Sequence, residues 1–460
     1  MKRTPLSLLA HWAGGELRGE DLLVDTLTND TRSLMPGSLY VALRGERFDG
    51  HDFAYDAAMR NAAALLVDHP VEVDLPQIVV ADSQLALARI AATLQLDRGG
   101  KAIAITGSNG KTSVKTLTVS ILQRAGTTYF NPGNRNNEIG LPLAVIDAPD
   151  DADFCVYEMG AGKPGDIAYL TDIVTPDVSL VNNIGAAHLE RMGSLMGGAQ
   201  TKGAIHSALA VDGVAVINAD DAFAEYFASL VADRRILRFG IDSTAEVTAR
   251  DIVSDAEGSR FLLVTPQGNA NVQLPLPGRH NVLNALAAAS LALACGVALA
   301  TIAEGLAAAK PVPGRQVAHV LANGAVLVDD SYNANPASLT AAIDTLAAAG
   351  GECWLVLGDM RELGAEGAAL HADAGRRAKG AGIARLYALG PLSNAAALAF
   401  GEGARSFETH KELSDALRAD LLQGARHSGV RCLVKGSRGS AMDRIVTALL
   451  SPGEGASHAA

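Results

Sequence analysis

The sequence of 460 residues has few aromatic side chains, 4% of the total, and no run of five or more basic residues. Its formal net charge is −12 at pH 7. Because a protein neutralises nucleic-acid phosphates with a basic surface, this balance argues against nucleic acid as a partner. A small anionic substrate is still compatible with it, provided that a few cations are focused in a cleft.

Cysteine is also scarce, and no Cys-x-x-Cys spacing occurs. This usage predicts buried free thiols in a reducing cytoplasm rather than disulfides or a zinc site. No window reaches the roughly 18 apolar residues that span a bilayer, and the N-terminus lacks the pattern of a secretory signal. We therefore expect a cytoplasmic protein that is not embedded in a membrane. The four cysteines lie in apolar stretches, at Cys155, Cys295, Cys353 and Cys432.

The sequence is instead rich in short apolar runs that alternate with helical patterns, and 48% of its residues are hydrophobic. Such alternation is typical of βαβ units, and the length favours several domains. We predict an α/β protein of three domains. A small α/β domain covers residues 1–84, a central domain with a mostly parallel sheet covers 85–313, and a doubly wound, Rossmann-like domain covers 314–450. The Pro-rich segment 310–314 marks the second boundary, and the tail 451–460 is expected to be disordered.

The segment 106–112, Thr-Gly-Ser-Asn-Gly-Lys-Thr, lies between a buried strand pattern and a helical pattern. Its glycines let the backbone approach phosphate oxygens, and the helix N-terminus adds its positive dipole end. Lys111 offers a charge to the β- and γ-phosphates and Thr112 a hydroxyl to Mg²⁺. Ile105 occupies the position of the first glycine of the full P-loop pattern. We predict an ATP site formed by Gly107, Ser108, Asn109, Gly110, Lys111, Thr112 and Ser113.

A second cluster of polar residues follows the next two strand patterns. Glu158 ends one strand, and His188 and Lys202 come after another. Ligands of open α/β sheets bind at the carboxyl ends of the strands, so Glu158 and His188 could hold a second Mg²⁺ with Lys202 nearby. From the residues alone, this interpretation and an ordinary structural role are equally open.

Several motifs together resemble the Mur ligase family of peptidoglycan synthesis, nearly from end to end. That family carries the short Thr-Gly-x-x-Gly-Lys-Thr loop, which accounts for Ile105. Residues 131–142 resemble its Asn-x-Asn-Asn-x-Ile-Gly-x-Pro segment, and residues 330–336 its Asp-Ser-Tyr-Asn-Ala-Asn-Pro motif. The resemblance implies a UDP-substrate domain, a P-loop ATPase domain and a C-terminal domain that binds the incoming amine. It implies an ATP-dependent ligase that uses two Mg²⁺ ions.

The resemblance also implies roles for individual residues. Glu158, His188 and Lys202 fall on the second-magnesium cluster of the family, in which the lysine of several members is carbamylated. Lys111, Glu158, His188 and Lys202 would serve catalysis, and the metal would be held by Thr112, Glu158 and His188. Further contacts to the nucleotide are implied for Asn281, Asn284 and Arg315. Contacts to the other substrates are implied for Asp30, Thr31, Arg32, Arg44, Arg47, Gly50, His51, Asn137, Asp330, Asn333 and Asn335.

The motif at 330–336 is similar to that of the branch adding D-alanyl-D-alanine to UDP-N-acetylmuramoyl-tripeptide, and the Asp-Asn-Pro-Arg motif of a sibling branch is absent. The expected partners are these two substrates and ATP, and the expected state is a monomer. The runner-up is a Mur ligase that adds another amino acid. A folylpolyglutamate synthase type would lack the UDP domain, and a GTPase switch would need an Asn-Lys-x-Asp motif that this chain lacks. Whether the third residue of the acceptor peptide is diaminopimelate or lysine stays open.

Overall fold

The computed structural model describes residues 1–45, 47–186, 189–422 and 429–451, which form three α/β domains. In the first domain, a five-stranded sheet has the strand order β2-β7-β6-β5-β4, and only β2 runs antiparallel to its neighbour. Its elements are β1 (Thr4–Pro5), α1 (Leu6–Ala13), β2 (Glu16–Arg18), β3 (Leu23–Val24), β4 (Leu27–Thr28), β5 (Leu39–Val41), α2 (Ala54–Met59), β6 (Ala64–Val67), β7 (Gln77–Val79) and α3 (Ser83–Leu96).

The central domain contains a six-stranded parallel sheet of order β13-β12-β11-β8-β10-β9 and an antiparallel sheet of order β14-β15-β16. Its elements are β8 (Lys101–Thr106), α4 (Lys111–Leu122), β9 (Thr128–Phe130), α5 (Gly140–Asp147), β10 (Phe154–Glu158), α6 (Asp166–Ile173), β11 (Val178–Val181), α7 (Leu189–Met192), α8 (Leu195–Ser207), β12 (Val214–Asn218), α9 (Ala224–Leu230), β13 (Arg235–Phe239), β14 (Thr248–Ser254), β15 (Ser259–Thr265), β16 (Gly268–Leu274), α10 (Arg279–Ala294) and α11 (Leu299–Ala307).

The third domain has a six-stranded sheet of order β17-β18-β22-β19-β20-β21, parallel except for the edge strand β17. Its elements are β17 (Val317–Val320), β18 (Val326–Asp330), α12 (Pro336–Ala348), β19 (Cys353–Gly358), α13 (Gly367–Gly380), β20 (Arg385–Leu389), α14 (Ser393–Phe400), β21 (Ala404–Phe407), α15 (His410–Leu422), β22 (Arg431–Lys435) and α16 (Asp443–Leu450).

Strand β8 explains why the central sheet is covered on both faces. Its residues alternate, so that Ala102 and Ala104 pack into the core on one face while Ile103 and Ile105 pack into the core on the other. An alternating strand that is apolar on both faces needs helices on both sides, as parallel sheets do. The chain moves from β8 towards β9 and β10, then crosses back to β11. The strand order therefore reverses beside β8, where open α/β sheets bind ligands.

The structure confirms the predicted three-domain α/β architecture. It differs in one sheet: residues 248–274 form the three antiparallel strands β14 to β16, which the alternation of strands and helices did not predict. The boundary predicted after residue 84 falls just inside α3, which packs on both α1 and α5, whereas the boundary predicted at 313 falls between α11 and β17. Residues 452–460 of the predicted tail lie outside the described residues.

The four cysteines are all free thiols, and three of them are buried. Burial raises the pKa of the Cys432 thiol, and the same cause raises the pKa of Cys295 to about 12. Both are therefore neutral thiols at physiological pH, as expected for structural cysteines. Among the helices of the described residues, none has the length and apolar character required to traverse a membrane.

Gly305 on α11 gives a test of how tightly the phosphate-loop helix α4 is packed. A Cβ at position 305 would lie 2.5 Å from the Cα of Ile121 on α4, so one backbone would have to move. We expect Gly305→Ala to lower the free energy of unfolding by about 1–3 kcal/mol, measured by denaturant titration. The control is Gly380→Ala on α13, where a Cβ meets nothing within 4 Å and helix propensity favours alanine. Equal effects of both substitutions would contradict this packing.

Candidate active site

The phosphate loop joins the end of β8 to the first turn of α4. Gly107 has φ 144° and Gly110, which caps the helix, has φ 78°. Residues other than glycine rarely adopt these φ angles, and a Cβ at Gly107 would also lie 3.1 Å from Asn182. The loop therefore needs glycine at both positions. It places the free N–H groups and the positive end of α4 at the point where the strand order of the sheet reverses.

Lys111 is held across this loop, because its Nζ donates a hydrogen bond to the carbonyl oxygen of Gly107 at 2.7 Å. Burial lowers the pKa of Lys111. The negative charge of Glu158 opposes this shift and the positive charge of Arg315 adds to it. A bound phosphate would bring further negative charge and so favour the ammonium form. The site is thus prepared for an anion that neutralises its cations.

Glu158 ends β10 beside the loop and is 4% exposed. Its carboxylate accepts hydrogen bonds from Thr112 Oγ1 and Asn136 Nδ2, both at 2.9 Å, and lies 3.3 Å from Lys115 Nζ. Burial by itself would raise the pKa of Glu158. The charges of Lys115 and Lys111, together with the two hydrogen bonds, outweigh burial and hold the pKa below its ordinary value. Glu158 is therefore an ionised carboxylate inside the protein.

Lys202 lies on α8 and is 2% exposed. Burial, with a smaller contribution from the charge of Lys111, lowers the pKa of Lys202 to about 8. Its ammonium group forms no hydrogen bond or ion pair with the residues that the structure describes. The remaining member of the predicted metal cluster, His188, lies outside the described residues.

The end of the site nearer α10 contains the predicted nucleotide contacts Asn281 and Asn284, both 7% exposed. Asn284 accepts a hydrogen bond from Asn182 Nδ2 at 3.1 Å, and Asn281 donates to the carbonyl oxygen of Pro277 at 2.8 Å. Both residues line a cleft of about 750 Å³ between the second and third domains. Among the loop residues, this cleft is also lined by Ser108, Asn109, Gly110, Lys111, Thr112 and Ser113.

Arg315 brings the third domain to the phosphate loop. Its Nη2 donates to Thr112 Oγ1 at 2.9 Å, and its guanidinium stacks over the ring of Tyr332 at 4.3 Å. Stacking holds the flat guanidinium in one plane and leaves its edge for hydrogen bonding. Arg315, which directly follows the hinge segment 310–314, is thus positioned at the loop by packing within the third domain.

The predicted third-domain residues line the same cleft. Asp330 receives a hydrogen bond of 2.6 Å from Lys435, which also donates to the carbonyl oxygen of Asn333 at 3.0 Å. Burial raises the pKa of Asp330, and Lys435 counteracts the rise. Asn335 caps α12 and also donates to Asn109 of the phosphate loop at 2.6 Å.

A second cleft of about 400 Å³ lies between the first and second domains and is lined by Asp30 and Asn137. Asn137 lines the larger cleft as well, so the two clefts meet at this residue. Asp30 caps a short turn that contains Thr31 and forms an ion pair of 2.7 Å with Arg32. Hydrogen bonds from Arg32 lower the pKa of Asp30 to about 2. A long substrate could therefore extend from the first domain to the phosphate loop.

The structure does not bring the other predicted residues of the first domain into either cleft. The side chain of Arg44 pairs with Asp68 at 2.9 Å, and the buried ring of His51 accepts a hydrogen bond from the Asp68 N–H. Gly50 packs closely on Leu43, because a Cβ at position 50 would lie 2.5 Å from the backbone nitrogen of Leu43. Arg47 is exposed. Their assignment to substrate binding stays a prediction.

Three family models match the chain in order: "Mur ligase family, catalytic domain" over residues 24–95, "Mur ligase middle domain" over 105–292, and "Mur ligase, glutamate ligase domain" over 314–438. A curated UDP-N-acetylmuramoyl-tripeptide–D-alanyl-D-alanine ligase from Escherichia coli K12 is 44% identical, covering 97% of this chain and 98% of the relative. The chain belongs to the Mur ligase family.

Solved Mur ligases share its whole architecture. A crystal structure of MurF from Acinetobacter baumannii is 33% identical, covers 98% of this chain and 99% of that one, and has a TM-score of 0.93. MurF from Thermotoga maritima, solved in complex with ADP, is 26% identical with a TM-score of 0.83, covering 93% and 97% of the two chains. The similarity spans all three domains.

Two residues of this Mur ligase site were missed by sequence reasoning. Lys115, 4% exposed, pairs with Glu158 and donates to the carbonyl oxygen of Asn131, while Asn136 holds the other carboxylate oxygen. One signal was available for Lys115, because it follows Lys111 by one helical turn on the same face of α4. A buried lysine is usually paired with a carboxylate, and the partner of Lys115 could not be identified without the fold.

Removing the charge of Lys115 tests its effect on Glu158. The folded-state pKa of Glu158 is lowered, so its ionised form stabilises the fold at neutral pH, and that contribution is lost as pH falls through the folded pKa. Lys115→Met should therefore raise the pKa of Glu158, because the lysine charge no longer offsets the effect of burial. The acidic limb of the pH–activity profile should move to higher pH as a result. The substitution should also cost about 3–5 kcal/mol of stability as a broken buried ion pair.

The matched control is Lys101→Met, because Lys101 is exposed at the start of β8. Its pH profile and its denaturation midpoint should equal those of the wild type. An unshifted acidic limb in a folded Lys115→Met protein would show that Lys115 does not keep Glu158 ionised.

Proposed function

We propose that this Mur ligase joins D-alanyl-D-alanine to UDP-N-acetylmuramoyl-tripeptide with the conversion of ATP to ADP and phosphate, giving the UDP-muramoyl-pentapeptide of peptidoglycan synthesis. The observation that carries the proposal is one continuous site. It joins a phosphate loop, an ionised buried carboxylate and a second cleft reaching the first domain. The choice of substrates is supported by the end-to-end similarity to a curated UDP-N-acetylmuramoyl-tripeptide–D-alanyl-D-alanine ligase.

The chemistry follows from the poor reactivity of a carboxylate. A carboxylate oxygen of the tripeptide attacks the γ-phosphorus of ATP, and ADP leaves, which gives an acyl phosphate. The amine of D-alanyl-D-alanine then attacks the carbonyl carbon, the carbon–oxygen bond breaks, and phosphate leaves as the amine loses a proton. The loop N–H groups, Lys111 and Arg315 face the oxygens on which negative charge accumulates.

The donors of the site fit Mg²⁺, which prefers hard oxygen ligands. Thr112 Oγ1 and the Glu158 carboxylate are 2.9 Å apart at the loop, and we propose that they hold metal, with His188 as a further ligand. When bound, Mg²⁺ neutralises the phosphate charge and allows two anions to approach each other. Two ions are proposed because both ATP and the tripeptide carboxylate are negative.

Further assignments extend the proposal to the other substrates. The UDP-linked acceptor is assigned to the first domain and the smaller cleft, through Asp30 and Asn137. The dipeptide is assigned to the third-domain side of the larger cleft, near Asp330 and Asn333. A monomer suffices because every element of the proposed site comes from one chain. A cytoplasmic location is proposed because the reaction consumes ATP.

Loss of the loop cation tests the proposed reaction directly. Purified protein with ATP, Mg²⁺, UDP-muramoyl-tripeptide and D-alanyl-D-alanine should release phosphate only when both substrates are present. Lys111→Ala should lower this rate about 10²–10³-fold, because a charge aimed at the transferring phosphoryl group is lost. Acceptors ending in diaminopimelate and in lysine are compared in parallel.

The control for this assay is Lys101→Ala, which removes an exposed lysine of the same domain and should leave the rate unchanged. Near-normal ligation by Lys111→Ala would refute the assignment of the loop. Phosphate release with a free amino acid on a shorter acceptor, and none with the dipeptide, would favour a sibling Mur ligase instead.

We also propose that Lys202 is carbamylated. A lysine with a pKa of about 8 has a substantial neutral fraction at physiological pH, and only the neutral amine reacts with CO₂. A carbamate would add a carboxylate-like group to a buried site where the ammonium has no partner among the described residues.

Isotope labelling tests this modification. Wild-type protein in ¹³C-bicarbonate should show a carbamate carbon signal by NMR, and the signal should grow as pH rises through about 8. Lys202→Arg keeps the positive charge but cannot form the carbamate, so the signal should vanish and activity should fall at least about tenfold. A signal that persists in Lys202→Arg would assign the carbamate to another lysine.

A further inference from the structure

Among the described residues, two side-chain hydrogen bonds join the third domain to the phosphate loop, and their third-domain donors lie at different distances from the hinge. Arg315 follows the hinge residue Gly314 directly and donates to Thr112. Asn335 lies farther along the chain, at the N-terminus of α12, and its Nδ2 donates to Asn109 Oδ1 at 2.6 Å across 226 residues of sequence. The second bond therefore depends on the orientation of the whole domain.

Asn335 uses both ends of its amide. Its side-chain Oδ1 accepts a hydrogen bond from the backbone N–H of Ser338 at 2.9 Å. The backbone N–H of Asn335 donates to Ser338 Oγ at 3.0 Å, which completes a capping box on α12. The cap fixes the direction of the side chain, so the Nδ2 is presented to the neighbouring domain without a further loss of rotamer freedom. Asn335 is 7% exposed, so water does not compete freely for this donor.

Asn109 is in turn held by residues at the end of β11. Its backbone N–H donates to Asn183 Oδ1 at 2.9 Å, and its carbonyl oxygen accepts from Asn182 Nδ2 at 2.9 Å. Asn182 also contacts Asn284 of α10. A chain of amide hydrogen bonds thus runs from the cap of α12, through the phosphate loop, to the helix that lines the far side of the cleft.

We infer that Asn335 is a positioning residue that couples the orientation of the third domain to the conformation of the phosphate loop. The inference rests on the proposed function. When the dipeptide-binding domain is in place, the Asn335 donor holds Asn109, and the loop is ordered for transfer of the γ-phosphoryl group. Asn335 acts through Asn109 rather than on the reacting atoms.

The test uses substitutions that separate capping from this contact. Asn335→Ser keeps a good cap, because serine is favoured at that position, but its side chain is too short to reach Asn109. Asn335→Asp keeps the capping oxygen and replaces the donor by an acceptor. We expect kcat to fall about tenfold in Asn335→Ser and further in Asn335→Asp, while KM for ATP changes less than about twofold.

A double-mutant cycle with Asn109→Ala shows whether Asn335 acts through the loop. In the Asn109→Ala background, Asn335→Ser should cause no additional fall in kcat, because the contact is already lost. The matched control is Asn323→Ser, which removes a side-chain bond to the Leu421 carbonyl oxygen elsewhere in the third domain and should leave kcat unchanged.

Three results would overturn the inference: wild-type kcat in folded Asn335→Ser, multiplicative effects of the two substitutions, or an equal fall in Asn323→Ser. The wild-type reaction run alongside separates this failure from that of the proposed function. Absence of ligation by the wild type would refute the proposed function itself, whereas normal wild-type ligation with any of the three results refutes only the role of Asn335.

Discussion

An ionised carboxylate buried at the end of β10 is the interaction on which the rest of the site depends. Taking Glu158 out of water is unfavourable, and the fold offsets this cost with Lys115, Lys111, Thr112 and Asn136. Three of these four partners come from α4. The helix that follows the phosphate loop therefore also supplies the positive charges that balance the carboxylate. The loop and the carboxylate are thereby fixed relative to each other.

This arrangement requires the parallel topology of the central sheet. Strands β8 and β10 are neighbours, and the chain reverses its direction of strand addition between β8 and β11. The carboxyl ends of these strands open into one crevice. Alanine on one face of β8 and isoleucine on the other allow helices to cover both faces of the sheet. Ligands can then reach β8 at its carboxyl end, where the crevice lies.

The third domain completes the site from outside the central fold. Arg315 reaches Thr112 from the hinge, and Asn335 reaches Asn109 from the cap of α12. The dependence of the loop on a second domain gives a physical reason for a ligase to delay phosphoryl transfer until the amine-binding domain is in position.

Local patterns were sufficient to predict the phosphate loop, the three α/β domains and the position of Glu158, because each depends on residues that are close in sequence. A Gly-Lys-Thr segment between a strand and a helix has the same chemistry wherever it occurs. The antiparallel strands β14 to β16 were not predicted, since a short alternating run does not say which partner it pairs with. The roles of Arg44 and His51 in substrate binding stay predictions, and the structure places both in a polar cluster around Asp68.

Local motifs predicted the type of chemistry, which is a phosphate site with a lysine, a hydroxyl and a carboxylate nearby. The pairing of Lys115 with Glu158 and the contact of Asn335 with Asn109 became apparent only in the folded protein. The reason is physical. Both contacts join residues that are far apart in the chain, and their existence depends on packing and domain orientation rather than on local conformational preference.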